Sequence, residues 1–482
     1  MWNWLEHREL RRLSRSMGNR EPGQLPRPDL AAGSDLLPQI KHIVVLMMEN
    51  HSYDNYLGML EGRGEGFPLD PDGQPDVSNL SADGESVPAH HLATTIQEPR
   101  MPTQSWDASH LQWNGGKCDG FVSSAETLVP GTDATLPMGY WSERDLPFYY
   151  GLAKTFPLAD HWFGSCLGPT FPNRRFLIAG TAHGLMDDLP CDLGNYPPAG
   201  TIFDMLTRHG ISWTNYHYVA GSGSAFRRAW RSRRRAALRK LLPSGKWFPS
   251  VVEGVHGDIS FTADVYPLGL ARCMLHLRST DQFFADADSG SLPPFSIVDP
   301  DFDSYSEENP QDIRKGESFA AEVINRVVHG KGWPHTLLVW VYDEAGGYYD
   351  HVPPPAAVAP DDVEGSSLLG TRSWLRTCLR PFFPAYVAHV EKLDAGPRRY
   401  DRYGFRVPAV IVSPYSRPDY VCTQVFDHTS VLKLVEQKWN LPPLTARDAA
   451  ADAPLDALNL EGPAAFLEPP SLPEPSLRWG SW

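Results

Sequence analysis

The run Ile40-Lys-His-Ile-Val-Val-Leu-Met-Met48, closed by Glu49-Asn50, constrains the fold more than any other stretch. It is too short for a long buried helix and fits a strand covered on both faces. Such a strand needs neighbours and covering layers, and the sequence offers them. Short strands are expected at Ile211–Tyr216, Phe295–Val298, Thr336–Tyr342 and Val407–Ser413, separated by helical stretches at Ile202–His209, Gly316–His329 and Thr429–Trp439. This alternation predicts an α/β fold with a mainly parallel central sheet and helices on both faces. Ser52 is the expected N-cap of a helix running to about Leu60.

Residues 1–38 read as an N-terminal extension and linker, 39–448 as the main domain, and 449–482 as a Pro-rich C-terminal tail. Residues 61–105, rich in Gly, Pro, Asp and Ser, read as a long loop region, and 220–290 interrupt the strand–helix rhythm as an insertion or cap. No apolar run is long enough to cross a membrane. Arg11-Arg12 is not followed by an apolar stretch, so no export signal is visible and the cytoplasm is the default expectation. The 43 basic residues against 58 acidic ones leave a net charge of −15, which disfavours a bulk nucleic-acid binder. The six cysteines form no CxxC pair, so neither a zinc ribbon nor a disulfide framework is indicated.

Four places set reactive side chains at the ends of these elements, where open α/β sheets gather their sites. Glu49-Asn50 follows the first strand and offers oxygen to a metal; it also reads as a turn-and-cap pair. Thr170 in Gly168-Pro-Thr-Phe-Pro-Asn-Arg174 lies in a rigid turn that opens a helix through Arg175–Ala179. There a phosphate would meet free N–H groups; the plainer reading is a helix N-cap. Asp343-Glu344 ends another strand, and two glycines follow that let the backbone come close to a ligand. Adjacent carboxylates repel unless a cation joins them, so a metal pair and a solvated strand end are both open. Asp427-His428-Thr429 opens a helix and reads either as a titrating histidine or as a capping turn.

Together these segments resemble the phosphoesterase family that holds the bacterial phosphatidylcholine-type phospholipases C and a group of acid phosphatases, within the alkaline phosphatase superfamily. The matching stretches are IKHIVVLMMENHSYDNYLG, SHLQWNGGKCDGF, MGYWSERDLPFYYGLAKTFPLADHWFGSCLGPTFPNR, VYDEAGGYYDHVPPP, RVPAVIVSPYS and FDHTSVLKLVE, in that order over about 40–445. The resemblance implies an alkaline-phosphatase-like core plus an inserted cap. It implies that Glu49, Asn50, Asp343 and Glu344 are metal ligands and that Thr170 is the nucleophile. Asn173 and His428 are implied as substrate contacts, and His110 and His351 as pocket histidines able to move a proton. An oxygen-only ligand set suits Ca²⁺, Mg²⁺ or Mn²⁺. The expected reaction is hydrolysis of a phosphate ester through a phosphothreonine, phospholipase C-like on diesters. An acid-phosphatase-type monoesterase and a non-catalytic phosphate-ester-binding pseudoenzyme are the alternatives.

This sequence departs from the family in two ways. A Glu-His-Pro stretch common in the family is answered here by Glu307-Glu308-Asn309-Pro310, without histidine. No further module follows the catalytic region before Trp482. Gly115-Gly116-Lys117 lacks a P-loop framework, and no G-x-S-x-G elbow is present, so nucleotide binding and serine hydrolysis have little support. The basic run Arg227–Lys240 reads either as a solvated helix face or as a landing site for an anionic membrane surface.

Overall fold

In the computed structural model the described residues are 24–480, apart from 99–101, 130, 132, 189–195, 218–261, 267–272, 367–376, 378–379 and 382–383. The apolar run before Glu49 forms strand β1, His42–Met48. From Ile43 onward every side chain in it is buried, as expected of a strand covered on both faces. The other strands of its sheet are β2 (Leu158–Ala159), β3 (Trp213–His217), β4 (Leu277–Ser279), β5 (Phe295–Asp299), β6 (Thr336–Tyr342), β7 (Ala409–Val412) and β8 (Val421–Cys422). Their order across the sheet is β8-β2-β7-β6-β1-β5-β3-β4. β1 pairs in parallel with β6 and β5, β5 with β3, β3 with β4, and β2 with β8. Among the described strands of this sheet, β7 alone runs antiparallel to its neighbours β6 and β2.

The helices that bear on the site are α1 (Tyr53–Leu57), α2 (Trp106–Trp113), α3 (Thr170–Ala179), α4 (Ile202–Arg208), α5 (Thr280–Ser289), α6 (Ile313–His329) and α7 (Thr429–Trp439). Ser52 caps α1, accepting the Asn55 N–H. α6 buries Phe319, Val323, Ile324 and Val327, an apolar stripe at helical spacing that turns toward the core. The sheet flanked by helices is the layering that the strand–helix alternation predicts.

Two expectations change. The cap expected over 220–290 does not extend to its end: the chain rejoins the main sheet at β4, which pairs with β3, and α5 then packs against α6. Residues 218–261, with the basic run Arg227–Lys240, lie outside the described residues. The β7 direction was not foreseen, because alternation of elements carries no information about strand direction.

The described parts of both terminal stretches, 24–38 and 449–480, contact the core. Gly33 and Leu36 donate their backbone N–H groups to the Trp439 and Lys438 carbonyls at the end of α7. Phe466 packs on Phe156 and accepts the Trp333 indole N–H, and Trp479 packs on Tyr305 and Phe319. Among the described residues no helix is long and apolar enough to cross a membrane.

Candidate active site

β1 and β6 are parallel and in register, Met48 opposite Tyr342, so both chains leave the sheet side by side at its carboxyl edge. Glu49-Asn50 and Asp343-Glu344 are the next residues. Asn50 takes a left-handed conformation, φ 68°, which asparagine tolerates better than most residues. Its N–H donates to Asp343 Oδ1 at 3.1 Å, and the Glu344 N–H donates to the same oxygen at 2.8 Å. The glycines that follow serve the chain itself. A Cβ on Gly346 would stand 1.9 Å from the Asn50 carbonyl oxygen, and one on Gly347 would stand 2.7 Å from that of Thr103. The close approach expected toward a ligand is an approach to neighbouring backbone.

Thr170 is the first residue of α3, with Pro169 at the N-cap and no side-chain capping bond. The N-cap reading of Thr170 is therefore set aside. Its hydroxyl lies 3.4 Å from Asn50 Oδ1. The next N–H, of Phe171, donates to Asp188 Oδ1 at 2.8 Å. Asn173 is spent on the loop before the helix. Its Oδ1 accepts the Ser165 and Cys166 N–H groups, and its Nδ2 donates to the Gly168 and Pro169 carbonyls. Those contacts tie it to shaping the turn at Thr170, where the family resemblance implies a hand on the phosphoryl oxygens.

One turn further along α3, Arg174 enters the acidic cluster. Its fully buried guanidinium bonds Asp343 Oδ2 at 3.0 Å and Asp299 Oδ1 at 3.2 Å, and lies 3.9 Å from Glu49 Oε1. Burial pushes the Glu49 carboxyl well above its usual range; Glu308 and Asp343 push the same way and Arg174 opposes them. Glu49 Oε2 is buried without a hydrogen-bond partner among the described residues. The unsatisfied buried Glu49 oxygen beside Asn50 suits a hard divalent cation, but among the described residues Glu49, Asp343 and Glu344 do not bring three carboxylate oxygens within reach of one another, and Arg174 already holds Asp343 Oδ2.

The histidines divide. His110 on α2 has Nδ1 against the Trp106 carbonyl at 2.7 Å, and burial lowers its pKa. Its neighbours Ser109 and Gln112 line a small cavity with Gly168 and Glu344. His428 has both ring nitrogens engaged, Nε2 with the Asp343 carbonyl at 2.6 Å and Nδ1 with the Trp162 indole at 3.4 Å. It props the Asp343 turn, which leaves neither nitrogen for a substrate. His351 makes its contacts in a separate network. Its Nδ1 meets Asp54 Oδ2 at 2.7 Å, its Nε2 lies 3.8 Å from Glu65, and Arg406 bridges Asp54 and Asp350. Burial works against the His351 charge, but its bond to Asp54 and the charges of Asp54 and Asp350 raise the pKa overall. Asp54, Asp350 and His351 could together offer ligand atoms to an ion. The Arg406 guanidinium, 2.9–3.0 Å from both carboxylates, already supplies their positive partner.

Sequence reasoning passed over Arg174, Asp299 and Glu308. Asp299 was findable, because it ends a strand that runs parallel to β1. Arg174 sits one helical turn beyond Thr170, a spacing that points both side chains to one face. Glu308 was seen only as a departure from a family pattern.

The Phosphoesterase family pattern matches residues 40–442. The hemolytic phospholipase C of Pseudomonas aeruginosa is 29% identical over 431 residues, covering 86% of this chain and 54% of that protein. The chain thus spans about half of that relative's length. Phospholipase C A of Mycobacterium tuberculosis is 28% identical over 469 residues, covering 92% of this chain and 80% of that protein. The non-specific phospholipase C1 of Arabidopsis thaliana is 26% identical over 475 residues, with 92% and 75% covered.

Proposed function

The chain belongs to the Phosphoesterase family, and on that premise we propose that it hydrolyses phosphoric esters in the manner of a phospholipase C, with Thr170 as nucleophile. The observation that carries this reading is the Thr170 hydroxyl. It stands at the first residue of a buried helix, free of capping duty, 3.4 Å from Asn50 Oδ1, on the strand edge that also bears Glu49 and Asp343. A phosphoryl group reaching it meets the positive end of α3.

A divalent cation held by Glu49, Asn50, Asp343 and Glu344 would lower the cost of ionising a nearby hydroxyl and offset phosphoryl charge. The chain's own groups do the rest. Asn173 fixes the turn that aims Thr170, and Arg174 holds Asp343 from below. Thr170 Oγ1 forms a bond to phosphorus as the bond to the leaving oxygen breaks, and the hydroxyl proton ends on the departing alcohol. Water then attacks phosphorus, the Oγ1–P bond breaks, and Thr170 regains a proton. His110 is our candidate for moving these protons. With Nδ1–H given to the Trp106 carbonyl, Nε2 is its basic nitrogen. Such help is typically worth about 10²–10⁴ in rate.

Acid quenching during turnover of a chromogenic phosphomonoester and a phosphocholine diester, followed by peptide mapping, tests the reading. A phosphorylated Thr170 peptide, absent in Thr170→Ala, is expected. Full turnover in Thr170→Ala would end it, and the ratio of the two rates separates diesterase from monoesterase.

A further inference from the structure

The small cavity beside the Thr170 turn is bounded by α2 on one side and by Gly168 and Glu344 on the other. Its room is that of about one water molecule. Gln112 is the telling residue in its wall. It is 1% exposed. Its Nε2 donates to the Thr103 carbonyl at 2.8 Å and lies 3.3 Å from Ser124 Oγ. A carbonyl oxygen needs a donor, and of the two ends of the Gln112 amide only the nitrogen donates, so this bond fixes which end is nitrogen. The other end, Oε1, is buried and has no hydrogen-bond partner among the described residues. An anchored, buried acceptor left unmatched costs about 1–3 kcal/mol, unless something in the cavity donates to it.

The rest of the lining narrows what that donor is. Glu344 and Ser109 are both in the lining, and the Ser109 hydroxyl already donates to the Gln104 carbonyl, so what it has left to offer is an acceptor. Cys166, Leu167, Ala345, Gly347, Gly404 and Phe405 make up the rest of the lining. A ligand of water's size that meets the Gln112 Oε1 and Glu344 acceptors is a proton donor to both. When both protons of a water are given to Gln112 Oε1 and to a carboxylate, a lone pair remains for attack.

We propose that Gln112 positions the water that releases phosphate from Thr170. This inference rests on the covalent reading above and assigns its second half. In that half-reaction the water oxygen bonds to phosphorus and the Oγ1–P bond breaks. One water proton ends on Thr170 Oγ1, and the other stays with the product.

The test is rapid-quench and burst kinetics of the full-length protein on a nitrophenyl phosphate ester, with and without glycerol as a competing acceptor. Wild type, Gln112→Leu and Gln112→Glu are compared. Misplacing a reacting group by about 1 Å costs on the order of 10²-fold, so Gln112→Leu should lose about that factor in dephosphorylation alone. Nitrophenol should then appear in a burst of up to one per active site at the wild-type rate, which also shows that the variant is folded. Phosphothreonine should accumulate, and a larger fraction of phosphate should pass to glycerol. Gln112→Glu, which keeps an oxygen facing the cavity, should recover part of the hydrolysis. A Gln112→Leu variant with no burst and an unchanged transfer ratio would return Gln112 to a wall residue. Turnover with no phosphoprotein in any of the three would instead overturn the covalent reading itself.

Discussion

Replacing Arg174 by Met tests the electrostatic design of the site most directly. The guanidinium is fully buried and holds Asp343 at 3.0 Å and Asp299 at 3.2 Å, with Glu49 at 3.9 Å. Methionine keeps much of the volume and removes the charge. Breaking a buried ion pair by deleting one partner costs about 3–5 kcal/mol, because the carboxylates left behind have neither water nor a cation. The matched region spans residues 40–442. At about 2.1 cal/mol/K per residue its unfolding entropy is near 0.85 kcal/mol/K, so the loss corresponds to about 4–6 °C in Tm. The sign with pH follows from the same charges. Carboxylates deprived of Arg174 have raised pKa values, so the penalty is largest at neutral pH and shrinks as pH falls and they protonate. Adding Mn²⁺ or Ca²⁺ should return part of the lost stability, since a cation between Glu49 and Asp343 compensates the same groups. Differential scanning calorimetry at pH 5 and 7.5, with chelator and with metal, reads all three effects, and an ester assay reads function. Arg174→Lys should fall between, since one ammonium cannot bridge Asp343 and Asp299 as a planar fork does. A Met variant melting within about 1 °C of wild type in chelator at neutral pH would refute the reasoning.

Thr170→Val should abolish ester hydrolysis yet cost only about 0.5–1.5 kcal/mol, because its hydroxyl makes a single long contact at 3.4 Å; urea unfolding beside the activity assay checks both halves. Thr170→Ser should retain part of the rate. Chelation should inactivate the wild type, and Glu49→Gln should lower the metal retained on dialysis, measured by elemental analysis; equal metal in variant and wild type would remove Glu49 from the ligand set.

What the sequence made legible was whatever a local pattern determines. The apolar run before Glu49 had to be a covered strand, and Thr336–Tyr342 and Thr429–Trp439 stand where periodicity puts them. That Glu49 and Asp343 each follow a strand was legible; that the two strands are parallel neighbours, which sets these residues side by side, is seen only in the structure. Side-chain direction did not follow. Asn173, His428 and His351 each sit in a stretch that resembles the family, yet each spends polar atoms on the protein: a turn, a carbonyl, an aspartate. A short motif reports that a residue matters without saying whether it faces a ligand or a neighbour. Arg174 and Arg406 went unread for the complementary reason. Asp343 lies 169 residues from Arg174, and Asp350 and Asp54 lie 56 and 352 residues from Arg406, and no local spacing announces a long-range ion pair.

Glu307 gives a pH signature that a single substitution can isolate. It is fully buried with φ 79°, beside Glu308. Its carboxylate accepts hydrogen bonds from the hydroxyls of Tyr56, Tyr149 and Tyr342. Burial outweighs those three donors and pushes its pKa from 4.5 up to about 8. A folded-state pKa raised in this way means that stability is full below about 4.5 and drains away as pH rises toward 8, because the unfolded chain releases the proton first. A shift of this size sets a ceiling of about 4–5 kcal/mol, at 1.36 kcal/mol per unit. Glu307→Gln keeps the shape and an acceptor oxygen but cannot ionise. Glu317, whose pKa is likewise raised to about 8 by burial, is present in both proteins and largely cancels from their difference. Urea unfolding of the two proteins at pH 5, 6, 7 and 8 should show the variant gaining on wild type by up to several kcal/mol across that range. Parallel stability profiles from pH 5 to 8 would mean that Glu307 ionises in the folded protein as easily as in the unfolded chain, and that the three tyrosine hydroxyls fully offset its burial.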